Sequence, residues 1–209
     1  MKRRDIILAT LGAGALGFSS AEAARNSILV LGDSMSTEYG LKRGSGWVAL
    51  LERKLAEEKR SAVVRNASIS GDTTSGGRSR LPGLLKDAKP GIVVIELGGN
   101  DALRGLPLQM TRDNLLWMTE AAQQAGAKVL LLGMQVPPNY GADYGKRFAD
   151  SFIEVAQLGK ASVVPFLLKG IADGPDPLAM FQADRIHPRE QAQPLMLANV
   201  WPELKRLLK

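Results

Sequence analysis

Three side chains that lie far apart in the sequence have the types that acyl transfer requires. Ser34 follows the apolar run Ile28–Leu31, and His187, the only histidine among 209 residues, lies three positions after Asp184. A serine hydroxyl becomes a nucleophile when an imidazole removes its proton, and a carboxylate can fix the tautomer of that imidazole. A single imidazole cannot build a multi-histidine metal site, but it suffices as a general base. These residues predict serine-hydrolase chemistry, with Ser34 as nucleophile, His187 as base and Asp184 as the partner that orients the base.

Two further residues are candidates for stabilising the negative charge that such an attack creates. A tetrahedral intermediate needs hydrogen-bond donors aimed at its oxygen. Gly71 offers a backbone N–H that no side chain obstructs, and Asn100 offers its side-chain amide. Ser34 adds its own backbone N–H. We therefore predict an oxyanion hole formed by Ser34, Gly71 and Asn100.

Each of these motifs also has an ordinary structural interpretation. Ser34 could cap the next helix, and His187 could be a surface histidine before a proline. Gly71-Asp72 is a turn signal, and Gly98–Asp101 could be a plain loop. The string Gly32–Ser36 is not the GxSxG elbow of α/β-hydrolases. Taken singly, the motifs leave both interpretations open.

Composition suits one globular domain and excludes several kinds of site. The chain is 45% hydrophobic and 23% charged, which favours a single well-packed core. It has no cysteine, so disulfides, thiolate zinc sites and thiol nucleophiles are excluded. The net charge of +6 is scattered and aromatic residues are only 5%, so we expect no nucleic-acid partner. We also expect no metal, no organic cofactor and a monomer.

The N-terminal 23 residues have the pattern of an export signal. Lys2–Arg4 is a positive segment, Ile6–Phe18 is mostly apolar, and Ala21–Ala23 supplies a small-x-small cleavage site. The apolar run is too short to span a bilayer comfortably. Gly12–Gly17 matches GxGxxG, but no amphipathic crossover helix follows it, so a dinucleotide site is not expected. We predict a signal peptide at residues 1–23, a domain at residues 24–209, and a periplasmic or secreted protein with at most transient membrane-surface contact.

Apolar β-branched runs alternate with helical patterns along the rest of the chain. The predicted strands are Ser27–Leu31, Ala62–Asn66, Ile92–Leu97, Lys128–Met134 and Ser162–Phe166. The predicted helices are Trp47–Lys59, Gln109–Ala125, Phe148–Leu158 and Glu190–Leu208, the last kinked or divided at Pro194 and Pro202. This alternation predicts a three-layer α/β/α sandwich around a five-stranded, mainly parallel sheet.

The polar motifs follow the first three predicted strands. Gly32–Ser34 comes after the first, Ser68–Gly71 after the second and Gly98–Asp101 after the third. In open parallel sheets, functional groups collect beyond the carboxyl ends of the strands. Three motifs at one edge of the sheet favour a common site more strongly than any one motif does.

The motifs together resemble the signature blocks of the SGNH (GDSL) hydrolase family, in the same order. The matching blocks are Gly32-Asp33-Ser34, Gly71, Gly98-Gly99-Asn100-Asp101 and Asp184-x-x-His187. Asn66–Thr73, Glu96–Asp101 and Pro138–Gly141 are similar to the branch that contains periplasmic acyl-CoA thioesterase, lysophospholipase and arylesterase enzymes. The resemblance implies a flavodoxin-like sandwich, a Ser34–His187–Asp184 triad and the same three oxyanion donors. Two residues depart from the pattern: Met35 replaces leucine, and Arg185 stands where glycine is common.

An acyl substrate would need an apolar groove beside the motif loops. The candidates for that groove are Met35, Leu103, Leu106, Val136, Pro137, Tyr140 and Ile186. Gln135–Tyr144 has the composition of a loop that could close over an acyl chain, although Val136 could equally fill the core. We expect hydrolysis of lysophospholipids, aryl esters or acyl thioesters. The alternatives are a carbohydrate O-acetyl esterase, a noncatalytic flavodoxin-like binding module, or an interaction protein held at a membrane by an uncleaved N-terminus.

Overall fold

A five-stranded parallel sheet forms the centre of the molecule. The computed structural model describes residues 27–176 and 178–208, so the predicted signal peptide lies outside the described residues. The strands are β1 (Ile28–Gly32), β2 (Val64–Asn66), β3 (Ile92–Glu96), β4 (Lys128–Leu132) and β5 (Ser162–Val164). Their order in the sheet is β2-β1-β3-β4-β5, and all four neighbouring pairs are parallel. This is the flavodoxin-like strand order, and the predicted fold class is confirmed.

The central strands formed where the sequence predicted them because they are apolar on both faces. Every residue of β1 and β3 is buried, which is typical of parallel strands covered by helices on both sides. The outer strands are shorter than predicted. The predicted strand Ser162–Phe166 ends at Val164, and Pro165, which has no N–H to donate to a ladder, follows it. The predicted strand Ala62–Asn66 keeps only its last three residues.

Helices cover both faces of the sheet. They are α1 (Trp47–Glu57), α2 (Thr74–Ala88), α3 (Gly99–Leu103), α4 (Leu108–Gln124), α5 (Ala142–Leu158) and α6 (Gln193–Leu207), with short 3₁₀ turns at Pro138–Tyr140 and Glu190–Ala192. Helix α1 packs against α6, whereas α4 packs against both α2 and α5. The sheet is thus the middle of three layers. No helix within the described ranges is long and apolar enough to span a bilayer.

Two helices of the structure were not predicted, and two predicted helices differ from the structure in where they begin. Helices α2 and α3 were not predicted, because glycines and Pro82 interrupt the first and the second has only five residues. Helix α5 begins at Ala142 rather than Phe148, so the expected loop Gln135–Tyr144 is partly helical. Helix α6 begins after a 3₁₀ turn and continues through Pro202 without a break.

The fold places the polar motifs in one crevice. Strands β1 and β3 are neighbours, and Gly32 at the end of β1 pairs with Glu96 at the end of β3. The chain leaves β1 towards β2 on one side, whereas β4 and β5 continue the sheet on the other. The strand order therefore reverses direction between β1 and β3. A ligand crevice is expected at such a point of reversal, beyond the carboxyl ends of the two strands.

Candidate active site

Ser34, His187 and Asp184 form a continuous hydrogen-bonded chain. Ser34 Oγ lies 2.8 Å from His187 Nε2, and His187 Nδ1 lies 2.6 Å from Asp184 Oδ2. The two segments are 153 residues apart in the sequence and meet only through the fold. Since Asp184 accepts at Nδ1, the Nδ1 atom carries the proton of the neutral ring and Nε2 is free to accept one from the hydroxyl. This arrangement can activate the Ser34 hydroxyl as a nucleophile.

The Asp184 carboxylate is held by the backbone of its own loop. Its Oδ1 accepts hydrogen bonds from the N–H groups of Ile186 at 2.9 Å and His187 at 3.0 Å. Burial alone would raise the pKa of Asp184, but these bonds and the His187 ring lower that pKa to about 2. Asp184 therefore stays ionised over the whole range in which an imidazole base works.

Gln182 ties the histidine loop to the serine loop. Its backbone N–H donates to the His187 carbonyl at 2.8 Å, and its side-chain amide donates to the Tyr39 carbonyl at 2.9 Å. The Tyr39 ring lies against the imidazole, with the two centroids 4.3 Å apart and the planes tilted by 39°. Sequence patterns indicated neither residue, because both act through contacts between segments more than 140 residues apart.

Ser34 lies in a turn and does not cap a helix. The next helix, α1, begins at Trp47 with Gly46 before it, so the capping alternative is wrong. The turn is closed by Asp33, whose backbone carbonyl accepts from the Ser36 N–H at 3.1 Å and whose Oδ1 accepts from the Met35 N–H at 3.0 Å. The serine is thereby presented at the end of β1 on a rigid turn.

The glycine before this turn is required by a close approach. A Cβ on Gly32 would lie 2.7 Å from Glu96 Oε2 and 2.9 Å from Ser36 Oγ. The absence of a side chain lets the buried Glu96 carboxyl reach the turn, where it accepts from Asp33 N–H at 3.2 Å and Ser36 Oγ at 2.8 Å. Glu96 is thus a structural carboxyl beneath the turn that carries Ser34.

The three predicted oxyanion donors line the same cavity. Ser34, Gly71 and Asn100 all border it. Gly71 has φ +77°, a left-handed conformation that favours glycine, and its carbonyl accepts from Arg104 Nη2 at 2.7 Å. Among the described residues, neither the Ser34 N–H nor the Gly71 N–H donates to a protein acceptor. Both amides are available to a ligand in the cavity.

Asp101 joins α3, which carries Asn100, to the start of α2, which follows the Gly71 turn. Its Oδ2 accepts from the Thr74 N–H at 2.9 Å, and its Oδ1 accepts from the Thr74 hydroxyl. Asp101 and Thr74 are both fully buried, so water cannot compete for these bonds. The bonds fix the start of α2 relative to α3 and thereby help to fix the spacing of Gly71 and Asn100.

Two buried carboxyls lie under the site. Burial raises the pKa of Asp33 to about 6, although hydrogen bonds from Met35 and Asn100 and the nearby His187 lower it. Burial, together with the charge of Asp33, raises the pKa of Glu96 well above its usual range. Of the pair, Glu96 therefore holds the proton at neutral pH and Asp33 carries the charge.

The cavity at Ser34 has a volume of about 360 Å³ and a largely apolar wall. It is lined by Asp33, Ser34, Met35, Tyr39, Ser70, Gly71, Gly99, Asn100, Leu103, Met134, Ile186 and His187. Met35, Leu103 and Ile186 were predicted to line a groove, whereas Tyr39 and Met134 were not. Met134 follows β4. The rule that functional groups collect beyond the carboxyl ends of parallel strands therefore applies to Met134 as well.

The remaining groove candidates lie elsewhere. Val136 and Pro137 line a second cavity, also of about 360 Å³, with residues of α5. Tyr140 stacks on Tyr144, with ring centroids 6.3 Å apart, and Leu106 is half-buried. The structure thus brings three of the seven predicted groove residues to Ser34. Within residues 27–176 and 178–208, no group of three acidic or histidine side chains could hold a metal ion.

Comparison with known proteins places this geometry in a family. Residues 30–193 match the model of the GDSL-like Lipase/Acylhydrolase family. The chain is 50% identical over 197 residues to Esterase TesA of Pseudomonas aeruginosa, covering 94% of this chain and 96% of that one. It is 38% identical over 186 residues to Thioesterase 1/protease 1/lysophospholipase L1 of Escherichia coli K12, covering 89% and 86%.

A solved structure agrees with these sequence matches. The crystal structure of TesA superposes with a TM-score of 0.83 at 51% identity, covering 87% of this chain and 99% of that one. The family match spans most of the chain, and the relatives are matched over nearly their whole length. The chain therefore belongs to the GDSL-like Lipase/Acylhydrolase family of ester-cleaving serine hydrolases.

Proposed function

We propose that this protein hydrolyses acyl esters and thioesters through an acyl-enzyme on Ser34. The observation that carries the proposal is the chain of hydrogen bonds from Ser34 to His187 to Asp184, 2.8 and 2.6 Å long, at the wall of a cavity. The names of the relatives, which include an esterase and a thioesterase/lysophospholipase, support the same substrate classes.

The proposed mechanism has two halves. In the first, His187 Nε2 takes the Ser34 proton while Oγ attacks the acyl carbonyl, and the oxyanion is bound by the Ser34 and Gly71 N–H groups and the Asn100 amide. The imidazolium then protonates the leaving oxygen or sulfur, and the acyl-enzyme ester remains. In the second half, His187 activates a water that attacks this ester and releases the carboxylic acid and the free serine.

The cavity wall favours an aliphatic or aromatic acyl group over a sugar acetate. Met35, Leu103, Met134 and Ile186 present hydrocarbon and thioether surface, and apart from the His187 imidazole, Tyr39 is the one aromatic ring among the lining residues described. Burying apolar acyl atoms against such a wall releases roughly 25 cal/mol per Å² of surface removed from water. We propose lysophospholipids, aryl esters and acyl thioesters as substrates, with carbohydrate acetates as the alternative.

Hydrolysis of a p-nitrophenyl ester series from acetate to palmitate, by residues 24–209, tests this proposal. We expect activity on medium or long chains that Ser34→Ala reduces by at least about 10³-fold, because removing a nucleophile leaves only binding and the oxyanion donors. Ser75→Ala, at an exposed serine on α2 outside the cavity, serves as the matched control and should keep full activity.

The other outcomes discriminate between the alternatives. Activity confined to acetate would favour the carbohydrate O-acetyl esterase. Equal activity of the wild type and Ser34→Ala, or none with any ester, would remove the catalytic assignment and favour a binding module.

We further propose that residues 1–23 direct export and are then cleaved, which places the enzyme in the periplasm or outside the cell. The proposal rests on the positive segment, the apolar run and the small-x-small site of the sequence. N-terminal sequencing of the protein recovered from the periplasmic or culture fraction should begin at Ala24. An intact Met1 end on the exported protein would contradict the proposal.

A further inference from the structure

We propose that Asp33 is a positioning residue that orients the Asn100 amide so that an N–H, and not the carbonyl oxygen, faces the oxyanion. The inference rests on the proposed function, since it assigns a task to the residue beside the nucleophile that the Ser34–His187–Asp184 chain does not use.

Both oxygens of the Asp33 carboxylate are occupied by donors. Oδ1 accepts from the Met35 N–H at 3.0 Å, and Oδ2 accepts from Asn100 Nδ2 at 2.9 Å. Asp33 is only 2% exposed, so bulk water has little access to either oxygen. A carboxylate only accepts, so it selects the NH₂ end of the Asn100 amide and rejects the carbonyl end. The second N–H of that NH₂ group is then left for the cavity, which Asn100 lines.

An amide at position 33 could not do the same. It has one accepting oxygen, but the site presents two donors. The Met35 N–H is fixed by the backbone of the turn that carries Ser34. The oxygen of the substituted amide would therefore face this N–H, and the NH₂ group would face Asn100. Asn100 would then turn its carbonyl oxygen inwards to accept, and the lone pairs of that oxygen would face the developing negative charge.

Protonation of Asp33 has a similar effect, because a protonated carboxyl loses one of its two accepting positions. Glu96 reaches Asp33 from β3, and two further groups act on Asp33 through their charges: His187 lowers its pKa and Asp72 raises it. Burial raises the pKa of Asp33 to about 6, within the range in which the enzyme can be assayed. The acid limb of kcat/KM should therefore contain a protonation of Asp33 near pH 6.

A double-mutant cycle tests whether Asp33 acts through Asn100. We expect Asn100→Ala to lower kcat by about 10²–10³-fold, as loss of one oxyanion donor does elsewhere. Asp33→Asn should lower kcat by about 10²-fold with little change in KM. The double variant should be no slower than Asn100→Ala, because Asp33 has nothing left to orient. A purely structural role for Asp33 would instead make the two losses multiply.

Controls separate positioning from damage to the fold. Glu96→Gln replaces the neighbouring buried carboxyl, which already holds a proton, by a group of equal size, and should keep kcat within about threefold. Thermal unfolding of each variant checks that it folds. The fall of log kcat/KM near pH 6 that protonation of Asp33 causes in the wild type should be absent from Asp33→Asn.

A spectroscopic readout does not depend on turnover. In ¹H–¹⁵N spectra, the side-chain NH₂ resonances of Asn100 should titrate with a midpoint near pH 6 in the wild type and not in Asp33→Asn. If the wild type hydrolyses esters, Ser34→Ala does not, and Asp33→Asn matches the wild type, the proposed function stands and this inference falls. Multiplying losses, or Asn100 resonances that do not titrate, would overturn it as well.

Discussion

Replacing Asp184 by Asn should damage catalysis more than replacing it by Ala. Asp184 Oδ1 already accepts the N–H groups of Ile186 and His187, and Oδ2 faces His187 Nδ1. An Asn at this position would keep its oxygen on the two backbone donors, so its NH₂ group would face the imidazole. That forces the tautomer with a proton on Nε2, which cannot accept the Ser34 proton.

The size of the loss follows from these bonds. Turning the amide round to rescue the tautomer would break both backbone bonds, at a cost of about 2 kcal/mol at roughly 1 kcal/mol each. The stabilising charge beside the imidazolium is lost in addition. We expect kcat/KM to fall by about 10³–10⁴-fold, which at 1.36 kcal/mol per decade corresponds to about 4–5.5 kcal/mol.

Asp184→Ala should reduce activity less than Asp184→Asn does, because solvent can take the place of the missing carboxylate. The Asp184 side chain is 37% exposed, so water can enter and accept from Nδ1 while the productive tautomer stays free. We expect a loss of about 10²–10³-fold, about tenfold smaller than for Asn. Steady-state kinetics on one p-nitrophenyl ester at pH 8 measure both variants, and unfolding midpoints control for loss of structure. An Asn variant as active as the Ala variant, or more active, would refute this reasoning.

Three further predictions concern the surrounding loops. Gly71→Ala has room for its Cβ but must adopt φ +77°, so a strain of about 1–3 kcal/mol should lower kcat at least tenfold in steady-state assays. Arg185 has φ +59°, so Arg185→Gly should raise the free energy of unfolding by about 0.5–1 kcal/mol in urea titrations. The pKa of Asp33 rises from 3.8 to about 6 on folding, so the folded state binds the Asp33 proton more tightly than the unfolded state does. The contribution of that proton to the free energy of unfolding is complete below pH 3.8 and is lost as pH rises through 6. Relative to the wild type, Asp33→Asn should gain about 2.5 kcal/mol in unfolding free energy between pH 4 and pH 8; parallel curves would contradict this.

The sheet was predictable because buried parallel strands have continuous apolar sequences. β1 and β3 are such runs, and the alternation of strands with helices fixed the layer order. Helix α2 was missed because Pro82 and several glycines lower its helix propensity, and packing of Leu81 and Leu85 overrides that preference. The start of α2 could have been predicted from Thr73, a residue type that favours N-caps. In the structure its side chain accepts a hydrogen bond from the Gly76 N–H.

The proposed catalytic residues could be found from types, spacing and the edge of the sheet at which the motifs fall. The residues that hold these catalytic residues in place could not be predicted from the sequence. Tyr39 and Gln182 contact the His187 loop from segments that only the tertiary fold brings together. The bond from Asn100 to Asp33 joins residues 67 positions apart, and its consequence depends on the burial of Asp33, which the sequence does not display.

Covalent trapping of Ser34 tests the central claim most directly. A p-nitrophenyl alkylphosphonate transfers its phosphonyl group only to an activated nucleophile and mimics the tetrahedral intermediate. Intact-mass and peptide-mass measurements should show one adduct, on the peptide that carries Ser34, formed in parallel with loss of esterase activity and absent from Ser34→Ala. An enzyme that loses activity with the adduct on another residue, or that stays active in the Ser34→Ala variant, would contradict the account.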